Sequence, residues 1–212
     1  IWGGEDNDPP IYGQVFLSVR TKSGVNLTQA QKNSIANDLK KYNVASIRPT
    51  FVNPEVTKIK LRTDFKFDSK TTTKSVGDIE SLVRKTIDDY NTSDLQNFDV
   101  VFRHSKLSRL IDASDGSILS NTTRITLNKI LTPVLNTVTQ YVIDFNNPLY
   151  NPHTGHNSAM GGITSSTGFT ISTNTNTLFL DDDGIGNIRT YYLVGGTTRN
   201  YVDSTAGTID YA

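Results

Sequence analysis

The sequence predicts an α+β fold: a small sheet packed by two to three helices, followed by a β-rich second unit with long polar loops. Three observations carry this expectation. Apolar residues recur at helical spacing in stretches near residues 29–42 and 75–90. Between those stretches, Ile59, Leu61, Thr63, Phe65 and Phe67 alternate strictly with Lys58, Lys60, Arg62, Asp64 and Lys66, the period of a strand with one buried and one wetted face. From Pro133 onward the helical period disappears, and residues 133–212 hold 28 Thr, Ser or Asn among 80 positions and 9 of the chain's 15 glycines. The predicted domains are therefore 1–132 (α+β) and 133–212 (β-rich, truncated at its C-terminal end).

Element by element, Trp2 to Pro10 reads as an extended loop, since two prolines lack amide donors and two glycines resist ordering. A buried strand follows over Tyr12–Val19, closed by a turn at Lys22-Ser23-Gly24. Thr28 with Gln31 three residues later is a capping box, each side chain satisfying an amide left free at a helix start. It predicts a helix over Gln29–Tyr42 with Ile35, Leu39 and Tyr42 facing a core. The long alternating strand covers Thr57–Asp68. A second helix starts at Ser75, with Asp78 completing the cap, an apolar stripe of Ile79, Leu82, Val83, Ile87 and Tyr90, and a Glu80–Arg84 pair. A strand over Asp99–Arg103 and a short helix over Lys106–Ala113, docked by Leu107, Leu110 and Ile111, complete the first domain. In the second, β segments are expected at Gln140–Phe145, Gly168–Ser172, Thr177–Leu180, Ile188–Val194 and Asn200–Asp203, with Asp181–Asn187 as a hairpin turn.

Charge and composition narrow the function. Lys plus Arg and Asp plus Glu are both 21, so the basic excess that neutralises phosphates is missing and no nucleic-acid partner is expected. The basic row of the long strand is the wet side of a sheet, where lysines also deter edge-to-edge pairing. Of the 21 basic residues, 19 fall in residues 1–132 along with 15 of the 21 acidic ones, leaving the second half acidic. No cysteine is present, which excludes disulfides and thiolate metal sites. No apolar run approaches the ~20 residues of a membrane-spanning helix, so no membrane partner is expected. The chain begins Ile1-Trp2 and its sole methionine is Met160, which reads as a piece of a longer protein.

Motifs that could carry chemistry fail on spacing. Asp181-Asp182-Asp183-Gly184-Ile185-Gly186-Asn187 suggests calcium, but with Gly184 at the turn position of an EF-hand loop the closing carboxylate would be Thr190. Gly184-Ile185-Gly186 lacks the third glycine of a nucleotide loop, Arg189 standing in its place. His153 and His156 could share a metal ion but have no carboxylate nearby, and His104 reads as packing. No nucleophile elbow or paired metal-binding histidine motif occurs. No catalytic residue, cofactor or metal site is predicted.

One stretch is specific. Trp2-Gly3-Gly4-Glu5-Asp6-Asn7-Asp8-Pro9-Pro10-Ile11-Tyr12-Gly13-Gln14-Val15-Phe16 closely resembles a segment of the large baseplate wedge proteins of T-even-type contractile-tailed phages, within the baseplate J-like group. The Thr-Gln capped helix, Pro54-Glu55 ahead of the long strand, the Leu180–Asn187 hairpin and Gly207-Thr208-Ile209-Asp210-Tyr211 are similar to that family as well. The resemblance implies a virion structural subunit of the tail baseplate, assembled in the host cytoplasm, without enzymatic activity or cofactor. It implies that copies pair, contact other wedge proteins and link neighbouring wedges into a ring around the hub, a ring that persists while the baseplate changes shape. It also implies a fragment truncated at both ends. Within the motif, Trp2, Asp6, Asp8, Pro9, Pro10 and Tyr12 are the candidate contact residues: acceptors beside an indole and a rigid Pro-Pro suit a pinned linker between domains, while a solvated loop leading into the first strand is the alternative. Two other functions compete, a glycan-binding tail module using Tyr191, Tyr192 and Tyr201, and a tail-associated hydrolase.

Overall fold

A computed structural model describes residues 1–7, 10–21, 24–42, 48–158 and 161–212. The chain is α+β, and its backbone divides into two compact units, Ile1–Ile143 and Asp144–Ala212.

The first unit contains two separate sheets where the sequence predicts one. Strands β1 (Trp2–Gly3), β2 (Gln14–Ser18) and β3 (Arg48–Val52) form the first, in that order. β1 runs antiparallel to β2, and β2 runs parallel to β3. A parallel pair needs a crossover, supplied here by helix α1 (Gln29–Leu39), which continues as a 3₁₀ turn over Lys40–Tyr42. The expected strand is shorter than Tyr12–Val19, and only Phe16 in it is buried. β3 is unannounced in the sequence because Pro49 argues against a strand; it is tolerated here because β3 lies at a sheet edge.

The Thr28 cap forms as expected. Gln31 donates its amide to Thr28 Oγ1 at 3.3 Å, and Gln31 Oε1 accepts from the Thr28 amide at 2.9 Å. α1 differs in its packing, however: none of its residues is buried, Ile35 and Leu39 are half-covered, and Tyr42 is exposed. With little burial to hold it, the helix depends on its cap. Thr28→Ala is expected to cost about 1 kcal/mol and to speed amide hydrogen exchange over residues 29–39 while leaving residues 76–90 unchanged.

The second sheet pairs β4 (Lys58–Phe67) with β5 (Ile118–Asn128), antiparallel. Along β4 exposed and half-buried residues alternate without a break, so the predicted charged face is the wet one. Helices α2 (Val76–Tyr90) and α3 (His104–Asp112) bring Ile79, Val83, Tyr90, Leu107 and Ile111 together with Ile118, and Leu61, Phe65 and Phe67 pack against that core. Ser75 caps α2 with Asp78 as predicted. The ion pair on α2 is Lys85–Asp89 at 2.6 Å rather than Glu80–Arg84.

Residues 99–103 are not a strand. Asp99 takes a φ of 58°, which breaks an extended run before it starts, and the chain then enters α3. β5 went unseen because its core face is partly polar: Thr123 is buried and shares a 3.1 Å hydrogen bond with Thr63 across the sheet, and Asn121 bonds Ser108 and Asp112. A polar residue satisfied inside removes the hydrophobic period that announces a strand.

The second unit is one four-stranded antiparallel sheet, β6 (Phe169–Ile171), β7 (Asn174–Asp182), β8 (Asn187–Val194) and β9 (Thr198–Thr208), in sequence order. The hairpin between β7 and β8 turns through Gly184 and Gly186, both at positive φ, as the sequence predicts. Residues 140–145 form no strand.

Candidate functional site

At the N-terminus the chain closes a small loop on its own tryptophan. Pairing of Trp2 opposite Phe16 stacks the two rings, 5.6 Å apart and 16° from parallel, and the indole Nε1 donates to Asn7 Oδ1 at 3.1 Å. Asp6 Oδ2 accepts from the Gly3 amide at 3.2 Å, and the carbonyl of buried Gly4 accepts from Ile11 N at 2.7 Å and from Asn7 Nδ2 at 3.2 Å. Of the six candidate contact residues, Trp2 and Asp6 therefore act within this loop. Pro10 is exposed, and Tyr12 is 80% exposed. Asp8 and Pro9 lie outside the described residues, as do Lys22 and Ser23 of the predicted turn.

The densest polar cluster lies in the second unit and is built on β7. Because side chains alternate along a strand, Asp181 and Asp182 face opposite sides of the sheet, and both are fully buried. Asp181 accepts from Arg189 Nε at 3.0 Å, from Arg199 Nη1 at 2.9 Å and from the Tyr201 hydroxyl at 3.0 Å. The two guanidinium groups also lie over aromatic rings, Arg189 on Tyr201 at 4.3 Å and Arg199 on Tyr191 at 5.0 Å. These are the only two basic residues after residue 132, and both serve one carboxylate.

Asp182 holds backbone instead. Its Oδ1 accepts from the amides of Ile163 and Thr164, both at 2.7 Å, and from the Thr164 hydroxyl at 2.8 Å. Oδ2 accepts from Gly184 N at 3.1 Å and from the Tyr211 hydroxyl at 2.7 Å. Burial pushes this carboxyl's pKa up, but the donors from Tyr211, Thr164 and Ile163 outweigh it and hold the group below its ordinary value. Tyr211 is correspondingly pushed up, by burial first and then by its bond to Asp182. Asp183 follows the same balance, its burial outweighed by Asn187 and by the amides of Asn187 and Ile185.

The three aspartates are thus anchors for loops and strands. Sequence reasoning placed them in a turn. The missed signal is that a strand predicted to reach Leu180 continues two residues further, which puts two acids in the sheet and obliges the rest of the chain to supply donors.

The other residues weighed in the sequence take ordinary places. His156 Nδ1 and His153 Nε2 are 3.0 Å apart, and His104 Nε2 lies 3.0 Å from the Thr123 carbonyl, to which it donates. Among the described residues no group of three or more His, Asp or Glu is placed to hold a metal ion. No helix among them is long and apolar enough to cross a membrane. Of the tyrosines considered for glycan binding, Tyr191 is buried, the Tyr201 hydroxyl is bound to Asp181, and the Tyr192 hydroxyl accepts from Asn200 at 2.7 Å.

Asp181 thus clasps side chains of β8 and β9, Asp182 and Asp183 hold backbone, and the N-terminal loop folds onto its own indole, so these polar groups serve the fold. Comparison with known proteins places the chain. Residues 1–52 match the model of C-terminal domain I of the baseplate structural protein gp6, and residues 55–130 match that of its C-terminal domain III. The two matched regions coincide with the two sheets of the first unit. The chain is also 31% identical over 113 residues to baseplate wedge protein gp6 of Enterobacteria phage T4, a match covering 53% of this chain and 17% of that protein. The chain belongs to the gp6 family of baseplate wedge proteins, structural proteins of the phage tail.

Proposed function

We propose that this chain is the linking part of a wedge subunit: copies of it pair, contact other wedge proteins and join neighbouring wedges into a ring around the baseplate hub. It does so by protein–protein contact alone, with no chemical step and no cofactor, in particles assembled in the host cytoplasm. The observation that carries this reading is the direction in which the side chains are committed. The buried acids hold the fold together, while large apolar side chains such as Tyr12, Tyr42, Leu135 and Val138 remain on the surface, as they do on proteins that bury surface against partners.

Sedimentation velocity across a concentration series checks it. The expected result is a concentration-dependent shift from one copy to two or more. A chain that stays monomeric up to its solubility limit would refute self-association.

A further inference from the structure

The segment from Ile130 to Ile143 contains no charged residue and leaves eight large apolar side chains exposed. It has no regular secondary structure, although six of the seven residues from Thr137 to Ile143 are β-branched or aromatic, the types that favour strands. Val138 is fully exposed and Val142 is 80% exposed. This is the same region in which the sequence predicts a strand that does not form. A strand needs an edge to pair with, and among the described residues no strand is paired with this segment.

We infer that residues 137–143 pair antiparallel with the same residues of a second copy, about a twofold axis at Gln140. Three features select that occupant. The segment is uncharged, so two copies meet without the like-charge repulsion that a charged strand would suffer. Centring on Gln140 sets Val138 opposite Val142 and Thr139 opposite Tyr141, apolar and aromatic–β-branched pairs of the favourable kind. The chain's own long strands are guarded against accepting it. β4 carries Lys58, Lys60 and Lys66. One carbonyl of β5, that of Thr123, is taken by His104. The register of β9 breaks against β8 between Ile188 and Tyr191, and Asp203 Oδ1 takes the Thr205 amide. An isologous contact of this sort buries the apolar side chains flanking the pair, Leu135 among them.

This inference rests on the self-association proposed above and names its surface. Because the chain has no cysteine, Gln140→Cys is a single-thiol probe. Residues directly opposite in an antiparallel pair lie within disulfide reach, so oxidation is expected to yield a covalent dimer. Thr73→Cys, on an exposed residue of the same unit, is expected to yield none. Val138→Asp with Val142→Asp sets aspartates opposite one another twice and is expected to weaken dimerisation by about 100-fold, with the circular dichroism spectrum of the monomer unchanged because neither side chain is buried in it. If the wild type dimerises while the double variant dimerises equally well, or while Gln140→Cys fails to cross-link, the surface named here is wrong and self-association stands. A monomeric wild type overturns both.

Discussion

Asp182→Ala is expected to unfold the second unit while leaving the first intact. The substitution strips the acceptor from three backbone amides, those of Ile163, Thr164 and Gly184, and from the hydroxyls of Thr164 and Tyr211. Asp182 is fully buried, so water does not simply replace it, and donors left without partners cost about 1–3 kcal/mol each. Partial relaxation keeps the total below that sum, and a loss on the order of 3–5 kcal/mol is expected, comparable with the entire stability of a small domain. Asp182→Asn separates charge from shape. With the asparagine oxygen serving Ile163 and Thr164, its amide faces Tyr211 and Gly184; the tyrosine hydroxyl can rotate to accept, whereas the Gly184 N–H cannot. The expected loss is about 1–2 kcal/mol.

The acid dependence has a definite sign. The folded-state pKa of Asp182 is lowered, so its contribution is fully present above the unfolded carboxylate value of about 3.9 and is lost as pH falls through the folded value. The stability difference between wild type and Asp182→Asn should therefore shrink once pH drops below about 4. Hydrogen-exchange mass spectrometry over residues 163–164 and 174–211 reads all three proteins. Equal protection of wild type and Asp182→Ala in those segments would show that the cluster is dispensable.

How much of this was legible beforehand depended on whether a residue's role repeats along the chain. β4, α2 and α3 were readable because burial recurs at period two or 3.6, and two of the three helices announce themselves with a capping box. β5 was unreadable because Thr123 and Asn121 sit where apolar residues would, each satisfied by partners that come from elsewhere in the sequence. β3 was hidden by Pro49, which is acceptable at an edge, and nothing local says which strand is the edge. The division of the first domain into two sheets was likewise invisible, since strand order is a property of the whole chain. The Asp181–Asp182 anchors illustrate the same limit. Apart from the Gly184 amide, the partners of their carboxylates lie 8 to 29 residues away, and no spacing rule links an acid to a threonine before it and a tyrosine after it. The N-terminal stretch was the reverse case: its residue pattern was recognisable as a unit, while the bonds within it were not.

Those bonds make Gly4, the residue that follows β1, a position with no room for a side chain. A Cβ built there would stand 1.8 Å from the Ile11 carbonyl oxygen and 3.1 Å from that of Gln14. Both are backbone atoms, and the first belongs to the residue whose amide donates to Gly4 O at 2.7 Å. The loop therefore cannot yield without breaking the bond that closes it. Gly4→Ala is expected to cost about 3 kcal/mol, the upper end for overpacking, and to release the segment from residue 4 to 11. Gly3 offers the control beside it. The three atoms nearest a Cβ there are those of the Glu5 carboxylate, at 2.5–2.6 Å, the free end of an exposed side chain that can swing aside, so Gly3→Ala should be nearly silent. The chain's single tryptophan is Trp2, which makes the readout specific. Releasing the loop removes the Asn7 acceptor from the indole and loosens its stack on Phe16, so emission should shift to the red in Gly4→Ala and remain at the wild-type wavelength in Gly3→Ala. Exchange of the Ile11 amide should rise in the first variant alone. Wild-type emission from Gly4→Ala would mean that the loop tolerates a side chain at residue 4.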